Sequence, residues 1–237
     1  MGRARRPGPR SLELLRWIEW LDVVGLEPLG LAHRLSMRTT YSHVERLVAA
    51  GLVERLSERN GTLVAITGHG RREVRPELVD RRAPRRSLSS GILVNHALAT
   101  SWLAARTTLR GFSWVSDREM RTLPEWQVPV LMLYRRGSHR PDLGVGEATR
   151  VAIEIELTAK AADRLRAIFW AYEHQIALRH LAGVIYVVDH PAVRRSVERA
   201  GRTVGLSDDQ FRILELEDVY ETTRRLARDP DRRTAAT

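Results

Sequence analysis

The chain has 237 residues, 43% of them hydrophobic, which suits packed cores in one large domain or two modest ones and argues against wholesale disorder. It contains no cysteine, so disulfides, thiolate zinc sites and cysteine nucleophiles are excluded. A formal net charge of +10 suits a polyanionic partner, because cationic side chains displace the counterions condensed on phosphates.

Arginine preference alone inflates this charge: of 39 basic residues only Lys160 is lysine. The distribution is more telling. Residues 1–86 hold 17 arginines against 10 acids, whereas the rest holds 22 basic residues against 19 acids. The excess lies where a nucleic-acid contact is expected. No apolar run nears the roughly 18 residues needed to span a bilayer. The basic start, Met1 to Arg6, runs into Pro7-Gly8-Pro9 rather than into the apolar stretch of a leader peptide. A cytoplasmic protein with no membrane partner is expected.

In chain order, Leu12, Leu14, Leu15, Trp17, Ile18 and Leu21 trace one helix face behind Ser11, read as its N-cap. Gly25 and Pro28 then break the chain, and a short helix is predicted over Leu29 to Leu35. After Ser36-Met37, a helix from Arg38 to Ala50 carries Val44, Leu47 and Val48 on one face and stops at Gly51. Two strands, Leu52 to Leu56 and Leu63 to Thr67, flank Glu58-Arg59-Asn60-Gly61, and Asn-Gly is a strong hairpin signal.

Helix, helix, turn, helix and hairpin is the order of a winged helix-turn-helix. Residues 51–72, including Thr67 to Gly70, resemble the wing of many bacterial winged-helix regulators. In that geometry the second helix of the turn motif enters the major groove of double-stranded DNA with its N-terminal side chains at base edges. Arg38, Thr39, Thr40, Ser42, His43 and Arg46 are then the predicted contacts, with Arg59 on the wing near the minor groove or backbone. Some winged helices serve protein contacts instead, and the local positive excess favours DNA.

Residues 79–90, with Arg81-Arg82-Ala83-Pro84-Arg85-Arg86, read as a basic linker between a DNA-binding domain over 11–78 and a second domain over 91–227. In the second domain, helices are predicted over His96 to Arg106, from beyond Lys160 to Leu181, and over Pro191 to Ala200. Short strands are predicted over Gly111 to Val115 and Phe211 to Leu216, and Gly183 to Asp189 reads as a strand buried on both faces. The alternation gives an α/β (α+β) class with helices covering a sheet. Trp126, beside Pro124, is a candidate for exposure, and Glu119 is either a site acid or a surface residue.

Arg150 to Leu157 reads as a strand with Val151, Ile153, Ile155 and Leu157 on one face and Ala152, Glu154 and Glu156 on the other. Two carboxylates on one face repel each other, so either that face is solvated or a cation sits there. Asp142 is placed to add a third oxygen ligand for Mg²⁺.

Pro141-Asp142, followed twelve residues later by Glu154-x-Glu156, resembles the restriction-endonuclease-like nucleases with a PD-(D/E)XK motif. The resemblance implies a central mixed sheet, Mg²⁺ held by Asp142, Glu154 and Glu156, and a lysine beside the attacking water. The motif's lysine position holds Glu156, and Lys160 stands four residues on.

The order of parts as a whole resembles the replication-relaxation family of plasmids and integrative elements. It comprises the winged helix, Asn95-His96-x-Leu98, Trp114 to Asp117, His139 to Asp142, Ile153 to Glu156, and a helix with a tyrosine followed by an apolar strand. This implies a DNA-binding protein of a mobile element, acting in replication or transfer as a homodimer or in a larger complex. Two other readings stand beside it. One is a Mg²⁺-dependent DNA endonuclease with Asp142, Glu154, Glu156 and Lys160 as catalytic residues. The other is a repressor whose second half binds a small ligand.

Overall fold

A computed structural model of the chain describes residues 7–58, 61–76, 91–132 and 135–229. The chain divides into two units, one made of residues 1–109 with 223–237 and the other of residues 110–222. Both units mix helix and strand, and the second is built on a mixed sheet.

In the first unit, Pro9 sits in the opening turn of α1 (Pro9–Leu21), where its missing N–H is no loss. Gly8 is the N-cap, and Ser11 lies buried one turn inside, its hydroxyl 2.9 Å from His43 Nδ1. Leu14, Leu15, Trp17 and Ile18 form the buried stripe. The expected break at Gly25 is instead a short strand, β1 (Val23–Gly25), which leads directly into α2 (Leu26–Ala32) with Pro28 in its first turn.

Helix α3 (Met37–Ala49) starts at Ser36, whose side chain accepts from the Thr39 amide, and ends before Gly51 at φ 68°. Strands β2 (Val53–Glu58) and β3 (Gly61–Ile66) pair antiparallel from Val53↔Ile66 to Glu58↔Gly61. With β1 against β3 they make a three-stranded sheet in the order β1-β3-β2. Arg59 and the 79–90 linker lie outside the described residues.

Two further helices belong here. Thr67 caps α4 (Gly68–Val74) by accepting from the Gly70 amide, while its hydroxyl reaches the carbonyls of Gly51 and Leu52. Helix α5 (Gly91–Leu109) was expected to open the second domain. It packs on the first unit instead, placing Val94 against Val23, Leu63 and Ala65, with Leu98 and Ala97 alongside. The Gly25 amide donates to Ser101 Oγ at 3.2 Å. The boundary therefore falls after Leu109 rather than in the linker.

The second unit is a five-stranded sheet. It comprises β4 (Trp114–Ser116), β7 (Leu143–Val145), β8 (Val151–Glu156), β9 (Gly183–Val188) and β10 (Phe211–Glu215), in the order β10-β9-β8-β7-β4. Strands β8, β9 and β10 run parallel, while β7 is antiparallel to both β8 and β4. The parallel pairs need crossovers, supplied by α7 (Ala162–Ala177) and α8 (Pro191–Val204). Helix α7 stops four residues short of the predicted Leu181.

Between β4 and β7 come α6 (Asp117–Met120), a 3₁₀ turn over Pro124–Trp126, and a hairpin of β5 (Val128–Met132) with β6 (Arg135–His139). Trp126 is only 3% exposed, contrary to expectation, because its ring lies against the Gly144 backbone, where any Cβ would collide with it. One face of the sheet carries the core: Ala152, Val184, Tyr186 and Val188 meet Leu165, Phe169 and Tyr172 of α7 and Val193 and Val197 of α8. Phe169 and Tyr186 stack at 4.8 Å between centroids. The last helix, α9 (Leu216–Arg228), contributes to both units, with the division between Thr222 and Thr223.

Candidate nucleic-acid interface and carboxylate cluster

Helix α3 turns Val44 and Leu47 into the first unit's core and leaves Arg38, Thr39, Tyr41, Glu45 and Arg46 exposed. Ser42 and His43 are half-buried. Arg38 has no ion pair or hydrogen bond among the described residues. Arg46 donates to Ser42 Oγ at 3.1 Å, one turn back on the same helix. Thr39 Oγ1 lies 2.8 Å from Ser36 Oγ, so it shares in the cap while remaining accessible. His43 is held below its usual value, first by partial burial and then by Arg46 and Arg10, so near neutrality its ring is uncharged.

Thr40 is a correction. It is fully buried, its hydroxyl donates to the Ser36 carbonyl, and its side chain occupies the space that a Cβ on Gly30 would need. It sets the close crossing of α2 and α3 and reaches no groove.

Sequence reasoning missed Tyr41 and Arg55. The Arg55 guanidinium lies 4.2 Å from the Tyr41 ring centroid, donates to its hydroxyl at 2.8 Å, and pairs with Glu45. Arginine stacked on an aromatic face gains a cation–π attraction. Here it fastens the outer side of α3 to β2 and neutralises the one acid on that surface. Tyr41 one helical turn after Arg38 was the available signal.

In the second unit, the alternation of β8 holds, and Glu154 and Glu156 share a face with Ala152. That face is neither solvated nor open: the two glutamates are 2% and 3% exposed beneath α7. A buried carboxylate is costly unless paired and hydrogen-bonded, and here the chain supplies the partners. Glu154 Oε1 accepts from the Tyr172 hydroxyl on α7 and lies 2.6 Å from His139 Nε2 on β6. Glu156 is paired with Lys160, the single lysine. Asp142 Oδ2 accepts from the Ile155 amide at 2.8 Å, and the Asp142 amide donates to the Ile153 carbonyl at 3.0 Å. This aspartate thereby continues the β7–β8 ladder by one rung.

Electrostatics follow the same arrangement. Burial raises the pKa of Glu156 and Lys160 opposes it, leaving a net upward shift. Burial would lower that of His139, but the Glu154 charge and hydrogen bond carry it upward. The buried hydroxyls of Tyr172 and Tyr186 are raised well above the usual phenol value and stay protonated. The strand register sets Tyr186 opposite Glu154, yet its hydroxyl has no partner among the described residues.

Magnesium requires bare oxygens in near-octahedral array. Here Glu154 meets Tyr172 and His139, Glu156 meets an ammonium group, and Asp142 meets an amide. Beside them, the Tyr186 hydroxyl is a buried polar atom with no partner among the described residues. Among the described residues no group of three or more histidine, aspartate or glutamate side chains is arranged to hold a metal ion. The expected Mg²⁺ set of Asp142, Glu154 and Glu156 therefore does not fit as arranged, and no metal-assisted step is derived for these residues or for Lys160.

Glu119 forms a capping box with Ser116 at the start of α6. Asp117 beside it is held below its usual value, because hydrogen bonds from Arg121 and Arg140 outweigh its burial. Among the described residues no helix is long and apolar enough to cross a membrane. Set against protein-family models, curated proteins and solved structures, the chain matches none.

Proposed function

We propose that the first unit is a winged helix-turn-helix that binds double-stranded DNA through α3, with the β2–β3 hairpin as its wing. The observation that carries this reading is the outer surface of α3, polar and open from Arg38 to Arg46, with Glu45 neutralised by Arg55. The order of elements and the sheet order β1-β3-β2 support it, as does the basic excess of residues 1–86. Arg38, Thr39, Ser42, His43 and Arg46 are the base-edge and phosphate contacts, and Tyr41 joins them. The order of motifs through the chain supports a role on a mobile element, in replication or transfer, as a homodimer or within a larger complex. The second unit, with a mixed central sheet and the acid spacing that resembles a nuclease motif, serves in this reading as a scaffold, and no reaction is assigned to it.

Mobility shift of a duplex by the full chain tests the proposal. Affinity falls steeply with salt, and the double variant Arg38→Ala/Arg46→Ala weakens binding about tenfold or more, from about 1–3 kcal/mol per well-made arginine contact. Unchanged affinity in a folded double variant overturns it.

A further inference from the structure

Helix α8 supplies an observation independent of α3. Its apolar residues Val193, Val197, Ala200 and Val204 are buried, and its outer face holds Arg195, Arg199 and Arg202, all exposed. Together with Glu198 and Thr203 they line a shallow open depression. Glu198 accepts from Arg194 at 2.9 Å, and Arg194 also pairs with Glu215, so the acid lining the depression is engaged by Arg194 rather than by Arg195, Arg199 or Arg202. Arg195, Arg199 and Arg202 have no carboxylate partner among the described residues.

Arginine preference does not account for this stripe. The second unit as a whole holds 16 basic residues against 17 acidic ones, whereas α8 carries four arginines and one glutamate. The positive charge is concentrated on one helix of a unit that is otherwise net acidic, with 12 basic residues against 16 acids outside α8.

We infer that the outer face of α8 is a second nucleic-acid contact, binding the phosphodiester backbone of duplex DNA without reading sequence. The spacing fits: seven residues of helix rise about 10 Å, and one strand of B-DNA presents about three phosphates over that length. Three guanidiniums at i, i+4 and i+7 match that charge density. A membrane surface fits less well, because an interfacial helix buries an apolar face in the lipid and this one buries it in its own unit. A protein partner needs aromatic or aliphatic anchors, and the outer face of α8 has none.

The test uses the full chain and a duplex of arbitrary sequence, with affinity measured across a salt series. In Arg195→Gln/Arg199→Gln/Arg202→Gln, the slope of log affinity against log salt is expected to be shallower by about 2–3, at roughly 0.9 per lost phosphate contact. Arg166→Gln, which removes an arginine paired with Asp163 on α7, serves as the control and leaves the slope unchanged. A triple variant that melts like the parent and keeps its slope overturns the inference. So does loss of binding to phosphatidylserine vesicles with DNA affinity intact. The α3 reading fails separately: there Arg38→Ala/Arg46→Ala binds as tightly as the parent, while the α8 triple variant still shows the shallower slope.

Discussion

His33 in the first unit and His139 in the second are both largely withdrawn from water, yet they are pushed in opposite directions. His33 sits at the end of α2, its ring edge-on to Trp17 at 6.1 Å, and its Nε2 has no hydrogen-bond partner among the described residues. Burial and then the Arg10 charge lower its pKa to about 4, against a weaker pull from Glu13. His139 is also lowered by burial, but Glu154 at 2.6 Å reverses the sign. The partner rather than the depth decides which form a buried histidine adopts. More broadly, among the described residues the first unit buries one carboxylate, Glu19, against Arg75, while the second buries two, Glu154 and Glu156, on one strand and sets them among Tyr172, His139 and Lys160.

The sharpest way to break that contrast is to remove an internal counter-charge. Lys160→Met leaves Glu156 buried beside Glu154 without its ammonium partner, and about 3 kcal/mol of stability is expected to go, by urea unfolding. Adding Glu156→Gln should restore most of it, and a double variant no more stable than the single one shows that Lys160 acts by packing alone.

Next in size is pH, with opposite signs in the two units. For His33 the unfolded chain takes up a proton near pH 6.5 and the folded chain only near 4. The first unit thus loses on the order of 3 kcal/mol as pH falls through that window. In the second unit His139 is raised, so its stabilising contribution is complete below pH 6.5 and is lost as pH climbs through its folded-state value. Glu156, raised from 4.5, works in the same direction, since the folded state favours its neutral form. Amide hydrogen exchange read separately in each unit should show the first weakening towards acid and the second towards base. Parallel pH profiles defeat the assignment, and His33→Gln should flatten only the first.

The smallest effects distinguish two tyrosines. Tyr172→Phe strips a donor from buried Glu154 and is expected to cost about 2 kcal/mol. Tyr186→Phe removes a hydroxyl with no partner among the described residues and should be neutral or stabilising by up to about 1 kcal/mol. A Tyr186→Phe protein less stable than its parent reveals a bridging water at that hydroxyl.

Local chemistry was legible in the sequence. Val44, Leu47 and Gly51 mark the inner face and the end of α3, Asn60-Gly61 is the hairpin signal between β2 and β3, and the apolar run from Gly183 forms β9, paired with a strand on each side. The alternation along residues 151–156 correctly put Glu154 and Glu156 on one face. What that face meets was not legible, because His139, Tyr172 and Lys160 arrive from three other segments. Thr40 reads as one more polar residue on α3 until Gly30 is seen beneath it. Strand β1 is only three residues long, too short for any periodicity, and α5 has apolar residues all round, which says that it is buried but not against which unit.

The last turns of α9 carry a consequence for the order of synthesis. Arg224 pairs with Glu27 at 2.8 Å and lies 4.9 Å from the Trp102 ring centroid, so a residue made late braces elements made early. A nascent chain with residues 7–109 already outside the ribosome still lacks this brace until residue 224 has emerged. The first unit is then finished only after the whole of the second has been translated.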